Sequence, residues 1–587
     1  MSRGLGDVYK RQANGLYRQV PRTSDVNVGG LNVAWNNGDD WTIAVDFGYA
    51  DQNTERTLER LRTRLDTGYG DDTTLPRLAN GMVTTYDISS GYPIATVWDC
   101  VPACGQGTVI DPLDTTHQYV EQLRRTTTWE EADDTSFRLD FTHDLEDRSD
   151  GDIYSFFDEF RFGFAWNEMN WKRRQTQKQG DVSQYDINSV GVVVSDHIMS
   201  HVGVPGFIHQ FAVADINDPV FSDFLTDPTG YETQQSSEFD VGEEVNAFYL
   251  QGNFSGEGRV PYRGNIGIRY VRTEQSNLGW VGEGSGDGFE PADPDNPQVL
   301  NVRKYDHVLP SFNLAFDLTD EWVLRFAANK ALTRPDPIDL RVGIDIDNLN
   351  NPDDDDTTGG NPNLEPYTTV NLDASIEWYP ERGGSYGLGL FHKNLESFIA
   401  SGGSSELVQL GTGEEVEYFV RRPVNTDGGT INGVEFQFHV PFDSFTSGFM
   451  SYFGINGSYT YVDAEMDAVV PDRGTPISLR GTSEKSGNFV VYFERERFGA
   501  RVAANYRSDY LFQEASDTDR FDEFTNGRTI VDMNLDYIIM ENIKVRFSAN
   551  NLTEERRSRY WDTPSQWYSD ERDNGREYVL EFRYTSD

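Results

Sequence analysis

At 587 residues the chain is long enough for one or several cores. Only 37% of it is hydrophobic, its mean hydropathy is −0.61, and no apolar run is long enough to span a bilayer as a helix, which excludes a helical membrane protein. The 13% aromatic content excludes a disordered chain, and the formal charge of −47, with no basic stripe, argues against a nucleic-acid partner.

The first residues, "MSRGLGDVYKRQ", carry basic charge but no apolar h-region. They read as a leader made by joining adapter bases to a gene fragment. That reading assigns residues 1–12 to an artefact and 13–587 to the protein, with its natural start upstream of Ala13.

From there, period-two segments predict about seventeen strands. A strand near Val26 to Trp35 leads through "NNGDD" into "WTIAVDFGYA", followed by a long polar stretch from Asp51 to about Asp133. "FRLDFTH" and "DEFRFGFAWNEMNW" flank a short turn, and a second long stretch runs to about Val241. Six hairpins follow, from "EEVNAFYLQGNF" with "RGNIGIRYVRTE" to "TIVDMNLDYII" with "IKVRFSANNL", and "REYVLEFRY" closes the chain. Short turns and long loops alternate at every connection, the signature of an up-and-down antiparallel barrel with one plain rim and one elaborated rim.

The alternation also separates two solvents. "VNLDASIEW" places Val370, Leu372, Ala374, Ile376 and Trp378 on one face and Asp373 and Glu377 on the other. The same split recurs in strands containing Val434 to Val440, Phe498 to Tyr506, Val531 to Tyr537 and Ile543 to Ala549. A Lys or Arg at the lipid midplane costs about 2–4 kcal/mol, so hydrocarbon would enforce such segregation. Tyr and Trp gather near strand ends, where an interfacial girdle would lie. Because hydrocarbon forbids unpaired edges and bacterial barrels carry even strand numbers, an odd count near seventeen signals absent strands.

No catalytic signature appears: there is no Walker loop and no H-E-x-x-H, and "GLGLFH" lies within a predicted strand. The chain is therefore read as a non-enzyme without cofactor. Eight His and two Cys are too scattered for a metal cluster. Asp353 to Asp356 could hold Ca²⁺ but lack EF-hand spacing, so a solvated loop is the alternative. Cys100 and Cys104 in "DCVPAC" are close enough for a disulfide or are a free pair. Among loop aromatics, Trp98, Trp280, Trp561, Trp567 and Tyr568 are candidate ligand contacts, because flat rings beside carboxylates and Arg hold a sugar's apolar face and its hydroxyls. Packing within the loops or girdle is the alternative for each.

Several segments, in order, resemble the barrel of TonB-dependent outer-membrane receptors, especially a proteobacterial branch whose members often import carbohydrates. They are "RGNIGIRYVRTEQS", "LPSFNLAFDLTDEWVLRFAANKALTRPDP", "GNPNLEPYTTVNLDASIEWY", "GLFHKNLESFI", "NTDGGTINGVEFQF" and "SANNLTEE". The resemblance implies an all-β transmembrane barrel of 22 strands, about five of them missing here together with the plug, TonB-binding motif and signal peptide. It implies a Gram-negative outer-membrane location, contact with outer-membrane lipid and lipopolysaccharide, coupling to TonB through the missing part, and active uptake of an oligosaccharide. A ferric-siderophore receptor, a passive porin or a secreted β-rich binding protein are the alternatives. The end, "EFRYTSD", departs from the family's usual terminal aromatic.

Overall fold

A computed structural model describes residues 14–65 except 39, the short pieces 82–87, 94–99, 108–109 and 113, and residues 118–145, 156–180, 190–194, 212–233 except 228 and 237–283. It further describes residues 298–346, 357–409, 415–467, 479–513, 521–562 and 567–585 except 573.

One antiparallel sheet dominates. Seventeen strands pair in chain order from Arg22–Asn36 to Glu577–Tyr584, each neighbouring the next through the ladder. These are the strands the alternation predicts, and the short-turn, long-connection rhythm holds throughout. The first strand continues N-terminally as Asn14–Gln19, broken at Val20 and Pro21, where proline removes a ladder donor.

The faces are also as the pattern demands. Leu372 is 50% exposed, Leu390 54% and Phe582 69%, all on the outside of the curved sheet, which for large apolar side chains makes sense only against hydrocarbon. On the inner side, Arg325 and Glu377 are paired. At the short-turn rim, Trp322, Trp378 and Tyr386 stack with centroids 5.6 and 5.0 Å apart, and the Trp378 indole donates to Glu321 in the turn, 3.0 Å away. An amphipathic ring with its polar edge toward water is what a membrane interface selects.

One expectation needs correction. The polar stretches after Asp51 and up to Val241 are not wholly loop: Trp41–Leu65, Gln118–Asp144 and Glu159–Gly180 run as continuous strands through them. Above the apolar belt both faces meet water or folded connections, so nothing enforces alternation there. In keeping with an incomplete barrel of about seventeen strands, Arg22–Asn36 and Glu577–Tyr584 are each paired on one side only, and among the described residues they do not pair with each other. The sheet is an open arc.

Candidate ligand-binding site

The inner wall is built by the polar half of each alternating strand. Arg263 pairs with Asp317, Asp140 accepts from Tyr249 and pairs with Arg138, and the Arg325 Nε lies 3.0 Å from both oxygens of Glu377. Tyr379 donates to the same carboxylate at 2.9 Å. Around them Asn265, Asn313, Asp373 and Glu435 line a concavity of about 560 Å³ that opens to the lumen. This surface offers donors and acceptors of both signs but few aromatic planes.

At the long-connection rim the chain folds a second, smaller sheet. Its strands run from the top of Tyr262–Glu283 through Ile344–Ile346 and Thr358–Gly359 to the hairpin Glu415–Thr426 and Phe398–Gln409. Three separate stretches of sequence thus form one roof. Ile344, Val408, Tyr418 and Val420 bury its underside, and Leu340 and Leu364 pack on Phe239 and Val241 of the main wall.

The turn 360–366, "GNPNLEP", fastens roof to wall. Arg303 donates to the carbonyls of Asn363 and Leu364 and pairs with Glu365 at 3.0 Å. Gln275 donates to the Pro362 carbonyl, and Asn361 to that of Pro423 in the hairpin. Nearby, burial pushes the Glu243 carboxyl up from its ordinary range, while Arg334, 3.4 Å away, pulls it down.

A four-stranded sheet at the same rim is made by Tyr510–Gln513, Glu523–Thr525, Arg557–Trp561 and Trp567–Arg572. Its register sets Trp561 opposite both Glu523 and Trp567, and Tyr560 opposite Phe524 and Tyr568. Arg559 is buried, with its guanidinium 3.3 Å from the Phe512 ring centroid and 3.6 Å from the Glu523 carboxylate. Below, Arg507 lies over Tyr510 at 3.8 Å, and Tyr560 donates to Asp509 at 2.9 Å. Burial, then that hydrogen bond and the Asp509 charge, push the Tyr560 phenol well above its usual pKa, so it stays a donor.

Of the five predicted aromatics, Trp561 and Trp567 are register partners on paired strands, while Tyr568 pairs with Tyr560 one position along. Trp98 lies elsewhere, in a strand paired with Met82–Asp87, and Trp280 is near the top of a main-wall strand opposite Gln298. Cys100, Cys104 and Asp353 to Asp356 fall outside the described residues. Arg559, Glu523 and Asp509 are site residues the sequence reading missed, since nothing local marks one Arg or carboxylate among so many.

Residues 104–552, more than half of the chain, match the family model described as TonB dependent receptor-like, beta-barrel. No curated protein matches the chain. Among solved structures, the copper transporter OprC is similar at TM-score 0.50 and 11% identity, over 96% of this chain and 73% of that one. The ferric yersiniabactin uptake receptor FyuA from Yersinia pestis is similar at TM-score 0.47 and 11% identity, over 97% and 74%. The ferric citrate transporter FecA in its unliganded form gives 0.47 and 10%, over 96% and 70%. This is a family of Gram-negative outer-membrane receptors and transporters that work with TonB and small ligands, not of enzymes. On its sheet, the direction of its apolar face and the extent of the family match, the chain belongs to the TonB-dependent receptor β-barrel family.

Proposed function

We propose that the chain is the barrel part of a TonB-dependent active transporter for an oligosaccharide, of the carbohydrate-importing branch. The observation that carries the reading is the rim sheet that sets Trp561 beside Glu523 and Arg559, an aromatic plane flanked by both signs of charge. A sugar ring presents an apolar face to the first and hydroxyls to the others. Trp567 and Tyr568 stand opposite in register, and Trp98 and Trp280 would serve as separate contacts on other connections. In the full receptor the seventeen strands are an arc of a 22-stranded cylinder around an N-terminal plug that carries the TonB contact; the two singly paired edge strands support this, since hydrocarbon leaves no solvent for open edges.

The test is regulation plus uptake in the native host. Expression should rise on a polysaccharide carbon source, and uptake of its radiolabelled fragments should stop when TonB is deleted. Trp561→Ala should weaken apparent affinity about tenfold or more with barrel assembly unchanged. Induction by iron starvation would replace the sugar with a ferric chelate, and uptake that survives loss of TonB would make the barrel a passive pore.

A further inference from the structure

At the upper end of the tallest strands, above the apolar belt, like charges face one another. Counting in twos from the outward Leu31, Phe47 and Phe162 places Arg22, Arg56, Arg60, Arg62 and Arg173 on the lumen side, and the ladder adds Arg124. Arg22 stands directly opposite Arg56, and Arg60 directly opposite Arg124. Between the Thr54 and Arg62 rows, Glu130, opposite Arg173, is the one carboxylate on that face among the described residues. Neutral groups lie between the arginines, Thr126 donating to Gln177 and Thr128 to Gln175.

Two things set this face apart. A chain with 97 acidic and 50 basic residues has carboxylates to spare, and lower on the inner wall Arg263, Arg138 and Arg325 each pair with one. Here arginine is opposed to arginine, which destabilises a bare ladder. Arg173 is also incompletely satisfied. Its Nη2 donates to Gln175 at 3.0 Å, whereas its Nε is shut off from solvent and has no hydrogen-bond partner among the described residues. Burial lowers the Arg173 pKa, against the pull of Glu130 and with the help of Arg56.

We infer that this face is an anion-binding subsite and that the transported oligosaccharide is an acidic one, whose carboxylate or sulfate groups seat among Arg22, Arg56 and Arg173. Guanidinium forks meet oxyanions with paired, charge-assisted hydrogen bonds, and an anion placed between opposed arginines removes their repulsion. A neutral sugar gains nothing from the patch. An acidic one needs it, because the field of a chain carrying −47 repels anions from the mouth unless a basic island draws them in. The inference rests on the sugar reading proposed above and narrows it.

Growth of the native host on acidic and on neutral polysaccharides, followed by binding of the inducing polymer's fragments to the full receptor in mild detergent, tests it. An acidic polymer should induce expression. Its fragments should bind about tenfold more weakly once carboxyl reduction or desulfation removes their charge, and the salt dependence of binding should vanish with it. Arg22→Gln with Arg56→Gln should reproduce that loss for the charged fragments and leave affinity for the uncharged ones unchanged, with heat-modifiable mobility native. Should the double variant not assemble, charged against uncharged fragments on the unaltered receptor decides alone. Induction by a neutral polysaccharide, equal affinity for charged and uncharged fragments, or a double variant that binds charged fragments undiminished would each overturn the acidic ligand and leave sugar uptake standing. Induction by iron starvation alone would overturn both.

Discussion

The two halves of the wall solve different problems. Trp41–Leu65 and Gln118–Asp144 run 25 and 27 residues, whereas Ile543–Asn550 and Glu577–Tyr584 run eight each. At about 3.3 Å per residue the first pair reaches ~80–90 Å, against ~26 Å for the second. A tilted strand crosses hydrocarbon in about 9–11 residues, so the tall strands carry more than a dozen residues beyond it. In the low half the chain stays near the belt, and oily and ionised residues alternate almost without exception. The tall half instead joins its upper strands by polar pairs: Thr57 with Thr127 at 3.4 Å, Thr126 and Thr128 with Gln177 and Gln175 at 3.3 Å, and Arg125 with Glu59 at 3.5 Å. The lesson is that the alternation reports lipid, not strand.

That distinction predicts its own strongest test. Leu390 and Trp129 both face outward on barrel strands, one within the belt and one above it. Leu390→Arg should cost about 2–4 kcal/mol against hydrocarbon and abolish heat-modifiable, folded receptor in outer-membrane fractions. Trp129→Arg should leave that band intact. Equal damage from both would place the tall wall in the membrane and erase the contrast.

A smaller effect separates the roof from the belt. Leu364 is fully buried against Phe239, Val241 and Leu340, where the 360–366 turn meets the wall. Leu364→Ala should remove about 2–3 kcal/mol of local stability, at the low end for a buried leucine because neighbouring loops can close in. Amide exchange should then quicken together in 344–346, 358–359 and 398–426, with the belt strands unchanged. Quickening confined to 360–366 would mean that the roof is not one cooperative unit.

How much could be read in advance follows the same line. All seventeen wall strands were legible, because each contains a stretch with one face to lipid and one to water. The upper extensions were not, since Asn53–Arg62 and Gln122–Glu131 alternate nothing. The roof was hidden for another reason: Ile344–Ile346 and Thr358–Gly359 are three and two residues long, too short for any period, and they pair with segments far away in sequence. At the candidate site, Trp561, Trp567 and Tyr568 could be picked out as loop aromatics, but only the register of paired strands sets Trp561 opposite Trp567 and Tyr568 opposite Tyr560. Arg559 and Glu523 were invisible among 50 basic and 97 acidic residues.

The weakest expected effect belongs to the tall wall alone. Its upper edge is covered by residues 212–231, whose Phe221 and Phe224 pack on Leu61 and Leu123 and whose Asp227 meets Lys178 at 2.8 Å. Lys178, then the Thr229 amide and hydroxyl, hold the Asp227 carboxyl at about 2, below its ordinary 3.8. A carboxyl lowered on folding contributes stability that is complete above its unfolded value and lost as pH falls through the folded one. Protection factors for residues 221–227 should therefore be level above pH 4 and decline between about pH 4 and 2. Asp227→Asn should show the loosened value at neutral pH already and no decline through that window. The Asp227 side chain is 44% exposed although Lys178 is buried, so the difference should be slight. A flat wild-type profile through pH 2, matched by the variant, would show that the apolar contacts of Phe221 and Phe224 alone hold the cover to the wall.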